Sequence, residues 1–384
     1  MVLVSSISCA DFSQSDTETR GSDELSQKTI SQTQLDELGE ALATWVAEYQ
    51  AADEIPGLAV ALVYQDQVLL LEGMGSRDLA QELPVTPHTL FHIGSTHKSI
   101  TALLAAIAVD RGLLAWEQPI VEFAPEFELR DPDATEMVNM RHLLSMRSGI
   151  SDDAVDFDLA EIEALDLFDQ VADAELLGEP GGIFDYSNVS VSLGGYLVAF
   201  AAQSNMNTLE ADHEALLTEW ILDPIGMKDA RLQLSDAQTS GDVALPYVWA
   251  GDRFVVAERE DFDDDPLSPS GGLKASINDM AAYLITQVQG GVAPDGSRIV
   301  STSSLQATWQ PRWGSYAMGW EQENYQGVVL LSHGGLYDNF LSIIGIVPEY
   351  ELGFVVLTNS SDAAEGLIGG VAHQVVELTQ ELEL

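Results

Sequence analysis

Phe91–Leu114 has the sequence FHIGSTHKSITALLAAIAVDRGLL, a turn followed by the most apolar helix that the chain predicts. Apolar residues occupy nearly every position over 100–109, which indicates a helix buried on all sides. Arg111 and Gly112 then supply the positive charge and the glycine that are typical of a helix C-terminus. The sequence therefore predicts a buried central helix that starts close to Ser95.

Ser95 and Lys98 stand at the start of this helix, three residues apart and therefore on one face. The positive end of the helix dipole would stabilise negative charge on the serine oxygen. Packing in an apolar helix would lower the pKa of the lysine and make it a proton acceptor. The alternative is a capped helix with a solvated lysine. The chain has only four lysines, however, and places one of them here.

The charge of the chain excludes some classes of partner. Acidic residues outnumber basic ones by 62 to 15, which gives a net charge of −47. Nucleic acids and anionic membrane surfaces would be repelled. Hydrophobic residues make up 46% of the chain, which is enough for a packed core. The charge favours adaptation to high salt, where ions screen self-repulsion, over an ordinary acidic protein.

Cys9 is the only cysteine, so neither an intrachain disulfide nor a cysteine-based zinc site can form. Residues 6–9 faintly resemble a lipoprotein cleavage box, but the preceding apolar segment is short and lacks a basic start. There is therefore no clear export signal, and two compartments stay open: the cytoplasm, or export with a trimmed lipoprotein-like start. The sequence contains no run of 18 apolar residues, so we expect no membrane-spanning helix. The seven histidines are scattered, so we expect no metal and no other cofactor.

Hydrophobic periodicity predicts strands near both ends of the chain and helices between them. The predicted strands are 57–64 and 68–72, which form a hairpin, and 316–321, 327–332, 341–347 and 352–358. The predicted helices are 34–52, 140–146, 159–177, 191–203, 209–222, 276–288 and 363–382. This order predicts an α/β (α+β) fold in which an antiparallel sheet is flanked by helices from both chain ends and a helical domain is inserted.

The domain boundaries follow from this order. Residues 1–30 are polar and aperiodic and are predicted to be a disordered lead-in. Residues 31–94 and 266–384 would together form the discontinuous α/β domain. Residues 95–265 would form the mostly helical domain, with the active site in the cleft between the two.

A serine nucleophile needs a base, an oxyanion hole and a proton route to the leaving group. No Gly-x-Ser-x-Gly is present, which argues against the nucleophile elbow of an α/β-hydrolase. Tyr186 and Asn188 follow a Pro-Gly-Gly break, so an irregular loop would carry them to a cleft. There Tyr186 would transfer a proton, and Asn188 would orient a substrate. The alternative for this stretch is a surface turn.

His333, Gly334 and Gly335 follow a strongly apolar predicted strand. Glycines at such a place let a ligand approach the backbone closely. The alternative for His333 is a strand-end histidine bonded to the backbone.

These three stretches, in this order, resemble the motifs of the serine β-lactamase and penicillin-binding protein superfamily, of which Ser-x-x-Lys is a signature. The most similar branch is the class C β-lactamase type, which also holds D-amino-acid peptidases and family VIII carboxylesterases. Further stretches resemble this branch: 141–149, 180–188, 224–227 and 270–273. The resemblance covers residues 33–380 and implies a β-lactamase/transpeptidase-like fold.

The resemblance implies roles for individual residues. Ser95 would attack a carbonyl and form an acyl-enzyme. Lys98 and Tyr186 would share its proton, and the motifs leave open which of them is the base. The backbone N–H groups of Ser95 and Leu336 would form the oxyanion hole.

The remaining implied roles concern binding. Asn188 would hold Lys98 and the substrate, Gly334 and Gly335 would line the site, and His333 would bind a carboxylate or shape the pocket. This third motif lacks the lysine and threonine of the lactamases, which weakens the usual anchor for penicillins. Asn339 replaces a glycine of the family, and asparagine tolerates the backbone angles that such a loop requires.

The expected function is a serine hydrolase acting on small esters, with lactones or amides as further substrates, as in family VIII esterases. One alternative is a D-amino-acid-specific peptidase or weak β-lactamase on the same machinery. Another is a non-catalytic binding scaffold. The expected partner is a small-molecule ester or amide, without nucleic acid, and the protein would be a monomer or homodimer.

Overall fold

The structure is a computed structural model that describes residues 30–157, 162–203, 205–257 and 266–384. Residues 1–29 of the predicted lead-in lie outside the described residues. In chain order the strands are β1 (Gly57–Tyr64), β2 (Gln67–Asp78), β3 (Leu83–Pro84), β4 (Phe91–His92), β5 (Tyr247–Trp249), β6 (Phe254–Val256), β7 (Lys274–Ala275), β8 (Glu321–Tyr325), β9 (Val328–Tyr337), β10 (Phe340–Val347) and β11 (Leu352–Thr358).

The α-helices, in the same order, come from every described part of the chain. They are α1 (Gln32–Ala52), α2 (His97–Asp110), α3 (Pro132–Met137), α4 (Met140–Leu144), α5 (Ala164–Asp173), α6 (Asn188–Gln203), α7 (Leu209–Leu217), α8 (Asp223–Ile225), α9 (Leu234–Thr239), α10 (Ser268–Gly271), α11 (Ile277–Val288), α12 (Thr302–Trp309) and α13 (Ser361–Glu381). A π-helical segment, Thr218–Leu222, joins α7 to α8. Within the described residues, no helix is both long and apolar enough to cross a membrane.

A seven-stranded sheet of order β3-β2-β1-β11-β10-β9-β8 forms the centre of the structure, and all its neighbouring strands are antiparallel. The first strands of the chain therefore pair with the last, with Leu58 opposite Thr358. The predicted α/β fold with an antiparallel sheet and helices from both chain ends is confirmed. The domain boundaries at 94/95 and 265/266 stay a prediction.

Strand β1 explains how the sheet is held between two layers of helices. Its even-numbered side chains from Leu58 to Leu62 join a core formed with α1 and α13. Its odd-numbered side chains from Ala59 to Val63 join a second core, formed with α2 and α11. Because both faces are buried, the strand reads as a continuous apolar run and not as an alternating one.

Helices α2 and α6 pack against each other at the centre of the second core. Residues 97–108 of α2 and 189–200 of α6 are buried without exception. The all-round apolar character of these stretches predicts this burial correctly. Helix α6 begins at Asn188, three residues before its predicted start, so Asn188 lies on a helix and not on an irregular loop.

Several predicted elements need correction, and strands β2 and β9 are longer than the predicted 68–72 and 327–332. Residues 316–320 are not a strand, and only an isolated bridge links Tyr316 to Glu321. The strand there is β8, whose residues are mostly polar and exposed because it lies at the edge of the sheet, so it carries no apolar signal. Helix α5 is shorter than the predicted 159–177, since Glu163 caps its start and Ala174 is extended. Residues 159–161 of that prediction lie outside the described residues.

Candidate active site

Ser95 lies on a 3-10 turn, Gly94–Thr96, that leads directly into α2. Gly94 has φ +52°, a left-handed conformation that favours glycine. The Thr96 hydroxyl donates to the Ile93 carbonyl at 2.8 Å and secures the turn. The predicted turn followed by a buried helix is confirmed, and Ser95 stands at the junction of the two.

The Lys98 side chain is only 1% exposed, and its amine contacts three oxygens. Nζ lies 2.8 Å from Ser95 Oγ, 2.7 Å from Asn188 Oδ1 and 2.9 Å from the Ser270 carbonyl. Burial lowers the pKa of Lys98 to about 7, although the Asp152 carboxylate opposes this shift. A substantial fraction of the amine is therefore neutral near neutral pH.

The contacts of Lys98 suit a neutral amine. The Ser270 carbonyl and Asn188 Oδ1 can only accept hydrogen bonds, so they take the two amine protons. An ammonium would donate its third proton to Ser95 Oγ, whereas in the neutral amine the lone pair of the nitrogen is available to the Ser95 hydroxyl. The arrangement places a proton acceptor beside the serine oxygen.

Asp152 fixes the orientation of Asn188. Its carboxylate accepts from the Asn188 amide nitrogen at 3.0 Å, from the Ser187 hydroxyl at 2.9 Å and from the Val189 N–H at 2.9 Å. The first contact turns the Asn188 amide so that Oδ1 faces Lys98. The last contact gives an acceptor to a backbone N–H in the first turn of α6, which has no partner within the helix. Asp152 thus anchors both the start of α6 and the amide that holds Lys98.

Tyr186 is the second residue that contacts the Ser95 side chain. The residue as a whole is 41% exposed, while its hydroxyl is hydrogen-bonded to the Ser95 side chain. Burial of the hydroxyl, with a smaller contribution from the Glu321 and Asp152 carboxylates, raises the pKa of Tyr186 to about 12 against the opposing effect of its hydrogen bond with Ser95. The phenol is therefore neutral at physiological pH and can donate a proton.

The loop before Tyr186 is held by Met146. This residue has φ +60°, and its sulfur lies 3.1 Å from the Ser187 N–H. Its carbonyl accepts from the Asp185 N–H at 3.0 Å. The two contacts flank Tyr186 and fix the backbone on both sides of it.

His333 is 5% exposed and both its ring nitrogens are engaged. Nδ1 lies 2.6 Å from the Gly334 carbonyl and must donate to it, so Nε2 accepts from the Tyr316 hydroxyl at 2.9 Å. Burial lowers the pKa of His333 to about 4, and the charge of Lys98 adds to this effect. His333 is therefore neutral and offers no charge to a carboxylate. It lies inside β9 and not at a strand end.

Gly335 brings β9 against the turn that carries Ser95. A Cβ atom at Gly335 would lie 2.2 Å from the Ile93 carbonyl oxygen and 3.1 Å from the Ser95 nitrogen. From the other side, a Cβ atom at Gly94 would lie 2.7 Å from the Leu336 nitrogen. Only glycines permit this approach, which places the backbone nitrogens of Ser95 and Leu336 in one region, where the sequence predicts the oxyanion hole. Gly334 is exposed and unobstructed.

The rim of the site is apolar and aromatic. Phe184, whose ring lies 5.5 Å from that of Tyr316, and Leu336 are exposed, Leu336 by 59%. The Arg147 guanidinium lies 5.8 Å from the Phe184 ring centroid and donates to the Gly182 carbonyl at 2.7 Å, so it is tied to the rim itself. Across the described ranges, no group of three or more His, Cys, Asp or Glu side chains could hold a metal ion.

The structure brings together Ser95, Lys98, Tyr186 and Asn188 and places the His333–Leu336 strand beside them. One detail of the sequence interpretation is wrong, because the left-handed residue after the third motif is Asp338 with φ +48° and not Asn339. Sequence reasoning also missed Asp152 and Tyr316. Asp152 lies three residues beyond Gly149, at the end of a stretch that resembles the family, but it does not stand out among 62 acidic residues.

The fold and this site define a class of protein, the serine β-lactamase and penicillin-binding protein superfamily. Residues 42–373 match the family model described as Beta-lactamase, and the chain belongs to that family.

Comparisons with characterised relatives support this assignment. The chain is 27% identical to Protein flp of Staphylococcus aureus (strain MW2) over 330 residues, which cover 84% of this chain and 63% of that protein. It is 26% identical to Unguisins hydrolase ungD of Aspergillus violaceofuscus (strain CBS 115571) over 364 residues, which cover 85% of this chain and 60% of that protein. The chain thus spans less than two-thirds of the length of these curated relatives.

Solved structures share the fold. The octameric penicillin-binding protein homologue from Pyrococcus abyssi superposes with a TM-score of 0.73 at 25% identity, covering 89% of this chain and 77% of that chain. A class C β-lactamase from Rhodobacter sphaeroides superposes with a TM-score of 0.70 at 22% identity, covering 90% of this chain and all of the other.

Proposed function

We propose that the protein is a serine hydrolase that cleaves small carboxylic esters through an acyl-enzyme. The observation that carries the proposal is the buried Lys98 amine, 2.8 Å from Ser95 Oγ and with a pKa of about 7. A general base works best when its pKa lies near the operating pH. Lys98 meets this condition, whereas Tyr186, with a pKa of about 12, does not. The proposal therefore assigns the base to Lys98.

Acylation would begin when neutral Lys98 takes the proton of the Ser95 hydroxyl while Oγ attacks the ester carbonyl carbon. The negative charge that forms on the carbonyl oxygen would be stabilised by the N–H groups of Ser95 and Leu336. The C–O bond to the leaving group then breaks. Tyr186 would give its proton to the departing alkoxide and recover one from the Lys98 ammonium, which leaves the acyl-enzyme and a neutral lysine.

Deacylation would repeat these steps with water in place of the serine. Lys98, neutral again, would accept a proton from a water molecule that attacks the acyl carbon. The Ser95 Oγ–acyl bond breaks, and the proton on Lys98 returns to Ser95. The cycle releases an alcohol and a carboxylic acid and restores the resting site.

Neutral His333 supports esters over β-lactams as substrates. Penicillins and cephalosporins carry a carboxylate, and the corresponding motif of the lactamases offers a lysine to it. Here the imidazole is uncharged and both its nitrogens are bonded within the protein. The apolar rim of Phe184 and Leu336 suits an uncharged acyl or alcohol group instead.

A second candidate is a D-amino-acid-specific peptidase or weak β-lactamase that uses the same residues. It is supported by the Asn188 amide, which lies beside Lys98 and can contact a substrate amide. The name of the relative Unguisins hydrolase is a further reason to test substrates other than simple esters. A non-catalytic scaffold is disfavoured, because Ser95, Lys98 and Tyr186 are present and hydrogen-bonded together.

The test is hydrolysis of p-nitrophenyl butyrate and of the chromogenic cephalosporin nitrocefin in high salt. Three proteins are compared: the wild type, Ser95→Ala, and Ser303→Ala as a control at an exposed serine of α12. We expect rapid ester cleavage and slow nitrocefin turnover by the wild type and the control, and loss of both activities in Ser95→Ala.

Mass spectrometry of the wild type during ester turnover should detect the acyl group on Ser95. Fast nitrocefin hydrolysis would favour the lactamase alternative. Failure of both substrates, with no adduct on Ser95, would contradict the proposed function.

A further inference from the structure

Tyr316 is a buried residue of the site that none of the three motifs includes. It is 4% exposed and lies on the segment between α12 and β8. Its ring meets the Tyr186 ring edge-on with centroids 6.3 Å apart, and lies 5.5 Å from the Phe184 ring. The Tyr316 ring therefore packs against the loop that carries Tyr186 and supports the position of Tyr186 beside Ser95.

The hydroxyl of Tyr316 connects this support to β9. It donates to His333 Nε2 at 2.9 Å, and His333 Nδ1 donates to the Gly334 carbonyl at 2.6 Å. The Gly334 carbonyl belongs to the peptide that leads into Gly335, the residue packed against the Ser95 turn. Two hydrogen bonds thus run from Tyr316, whose ring packs against the Tyr186 loop, to the strand edge that carries the Leu336 nitrogen.

This pair has a single arrangement of protons. The Gly334 carbonyl can only accept, so Nδ1 carries the imidazole proton and Nε2 accepts from the phenol. Groups that face the pair from other elements are Lys98 on α2 and Tyr186 before α6, while Glu321 on β8 interacts with Tyr316. Burial and the Lys98 charge both disfavour an imidazolium, and burial disfavours a tyrosinate.

We propose that Tyr316 and His333 form a neutral positioning pair, which holds the Gly334–Leu336 edge against Ser95 and keeps Tyr186 in place. The inference rests on the proposed hydrolase function. It adds that the third motif acts here by shaping the strand edge, with Tyr316 as its partner, and not by binding a substrate charge. The pair acts on the transition state through the oxyanion hole and Tyr186, so its loss should lower kcat more than it raises KM.

The test is a double-mutant cycle with Tyr316→Phe, His333→Phe and the double variant, assayed with p-nitrophenyl butyrate. Phenylalanine retains the ring contacts of Tyr316 and removes only the hydroxyl. We expect kcat to fall by about 10- to 100-fold in each single variant, with KM close to that of the wild type. The double variant should lose little more than the worse single variant, because the two residues act as a unit. Tyr325→Phe is the matched control, since it removes a phenol bonded to Glu377 away from the site.

A measurement on the unaltered protein keeps the inference testable if a variant does not fold. NMR of the labelled imidazole nitrogens, assigned in the wild type through correlations from each ring to its own backbone, should show His333 neutral and protonated on Nδ1 at about pH 6, where an exposed histidine is largely charged. A charged His333, or a proton on Nε2, would overturn the proposal. So would an unchanged kcat in Tyr316→Phe or additive losses in the double variant. If the wild type itself hydrolyses no ester, the proposed function fails, while the NMR result still decides the pair.

Discussion

Asp152 is the acidic residue that sets the electrostatic environment of Lys98 without touching it. Its carboxylate binds the Asn188 amide, and its charge raises the pKa of Lys98 against the effect of burial. In Asp152→Asn the side-chain oxygen can still accept the hydrogen bond from the Val189 N–H. The negative charge is lost, and so is the carboxylate oxygen that fixes the orientation of the Asn188 amide. We expect kcat/KM to fall by up to about 100-fold because Lys98 is less well positioned.

The same substitution should change the pH dependence in a defined direction. Removing a negative charge lowers the pKa of Lys98, so its neutral form persists to lower pH. The acid limb of kcat/KM should therefore move below its wild-type position. Asp153→Asn is the matched control, since Asp153 is the exposed neighbour. An acid limb that moves to higher pH, or moves equally in both variants, would contradict the assignment.

Lys98 itself should control the acid limb of the wild-type enzyme. Its pKa is lowered to about 7, so the proton-accepting form increases as pH rises through this value, and kcat/KM should increase with it. In Lys98→Arg the guanidinium remains protonated at every accessible pH. We expect kcat/KM to fall by about 10²- to 10⁴-fold, the usual contribution of a general base, and the limb at about pH 7 to disappear. A pH–rate profile of both proteins checks this.

The sequence predicts the nucleophile, Lys98 and Tyr186 because their motifs are short and local. Ser95 and Lys98 share one helical turn, and helical spacing alone makes them neighbours. Tyr316 and Asp152 could not be found in this way, because they reach the site from segments distant in the chain and bond to partners that only the tertiary structure supplies. The neutrality of His333 likewise depends on burial and on Tyr316, and neither can be read from its position beside two glycines.

At the scale of elements, the approach of β9 to the Ser95 turn depends on Gly335. A methyl group there would lie 2.2 Å from the Ile93 carbonyl oxygen, so Gly335→Ala must push the strand away from the turn. We expect a loss of about 1–3 kcal/mol in stability from overpacking. We also expect a fall of about 10²- to 10³-fold in kcat, because the Leu336 N–H would leave the proposed oxyanion hole.

Gly334→Ala provides the matched control one residue away. A Cβ atom at Gly334 would have only the Ser342 carbonyl oxygen nearby, at 3.9 Å, which is an ordinary contact. This variant should keep its melting temperature and most of its activity. Thermal unfolding and ester hydrolysis measure the losses. Equal losses in the two variants would show that the close approach of Gly335 to the Ser95 turn is not the cause of the lost stability and activity.

The elements of the sheet differ in how well the sequence predicts them. Strands β1 and β11 are apolar runs because both of their faces are buried, and they are predicted almost to the residue. Strand β8 is largely polar and lies at the edge of the sheet, so the apolar pattern predicts a strand before it instead. Strand β9 extends to Tyr337, past the apolar run that marks its first half. The sequence pattern stops short of this end because Gly334 and Gly335 carry no hydrophobic signal.

The whole molecule carries a net charge of −47, which must weaken the folded state through self-repulsion when salt is low. The screening length falls from about 8 Å at physiological ionic strength to about 3 Å at 1 M salt. We therefore expect Tm and activity to rise when KCl or NaCl is added up to molar concentrations.

A comparison of solutes separates screening from general stabilisation. NaCl and KCl at equal concentration should act alike, whereas sucrose, which does not screen charge, should not restore activity. A Tm that stays constant from low to molar salt would contradict the expected salt adaptation.

The pairing of β1 with β11 also has a consequence for how the chain folds. Leu58 cannot pair with Thr358 until almost all of the intervening chain has left the ribosome. Helix α1 likewise reaches the C-terminal end of α13, where the Gln34 side chain donates a hydrogen bond to the Leu382 carbonyl. During synthesis the apolar hairpin of β1 and β2 therefore has an open edge that other chains can pair with. Contacts of such long sequence separation form slowly. The nascent protein is thus most prone to aggregation before its last strands emerge, and chaperones that shield the β1 edge should increase its soluble yield.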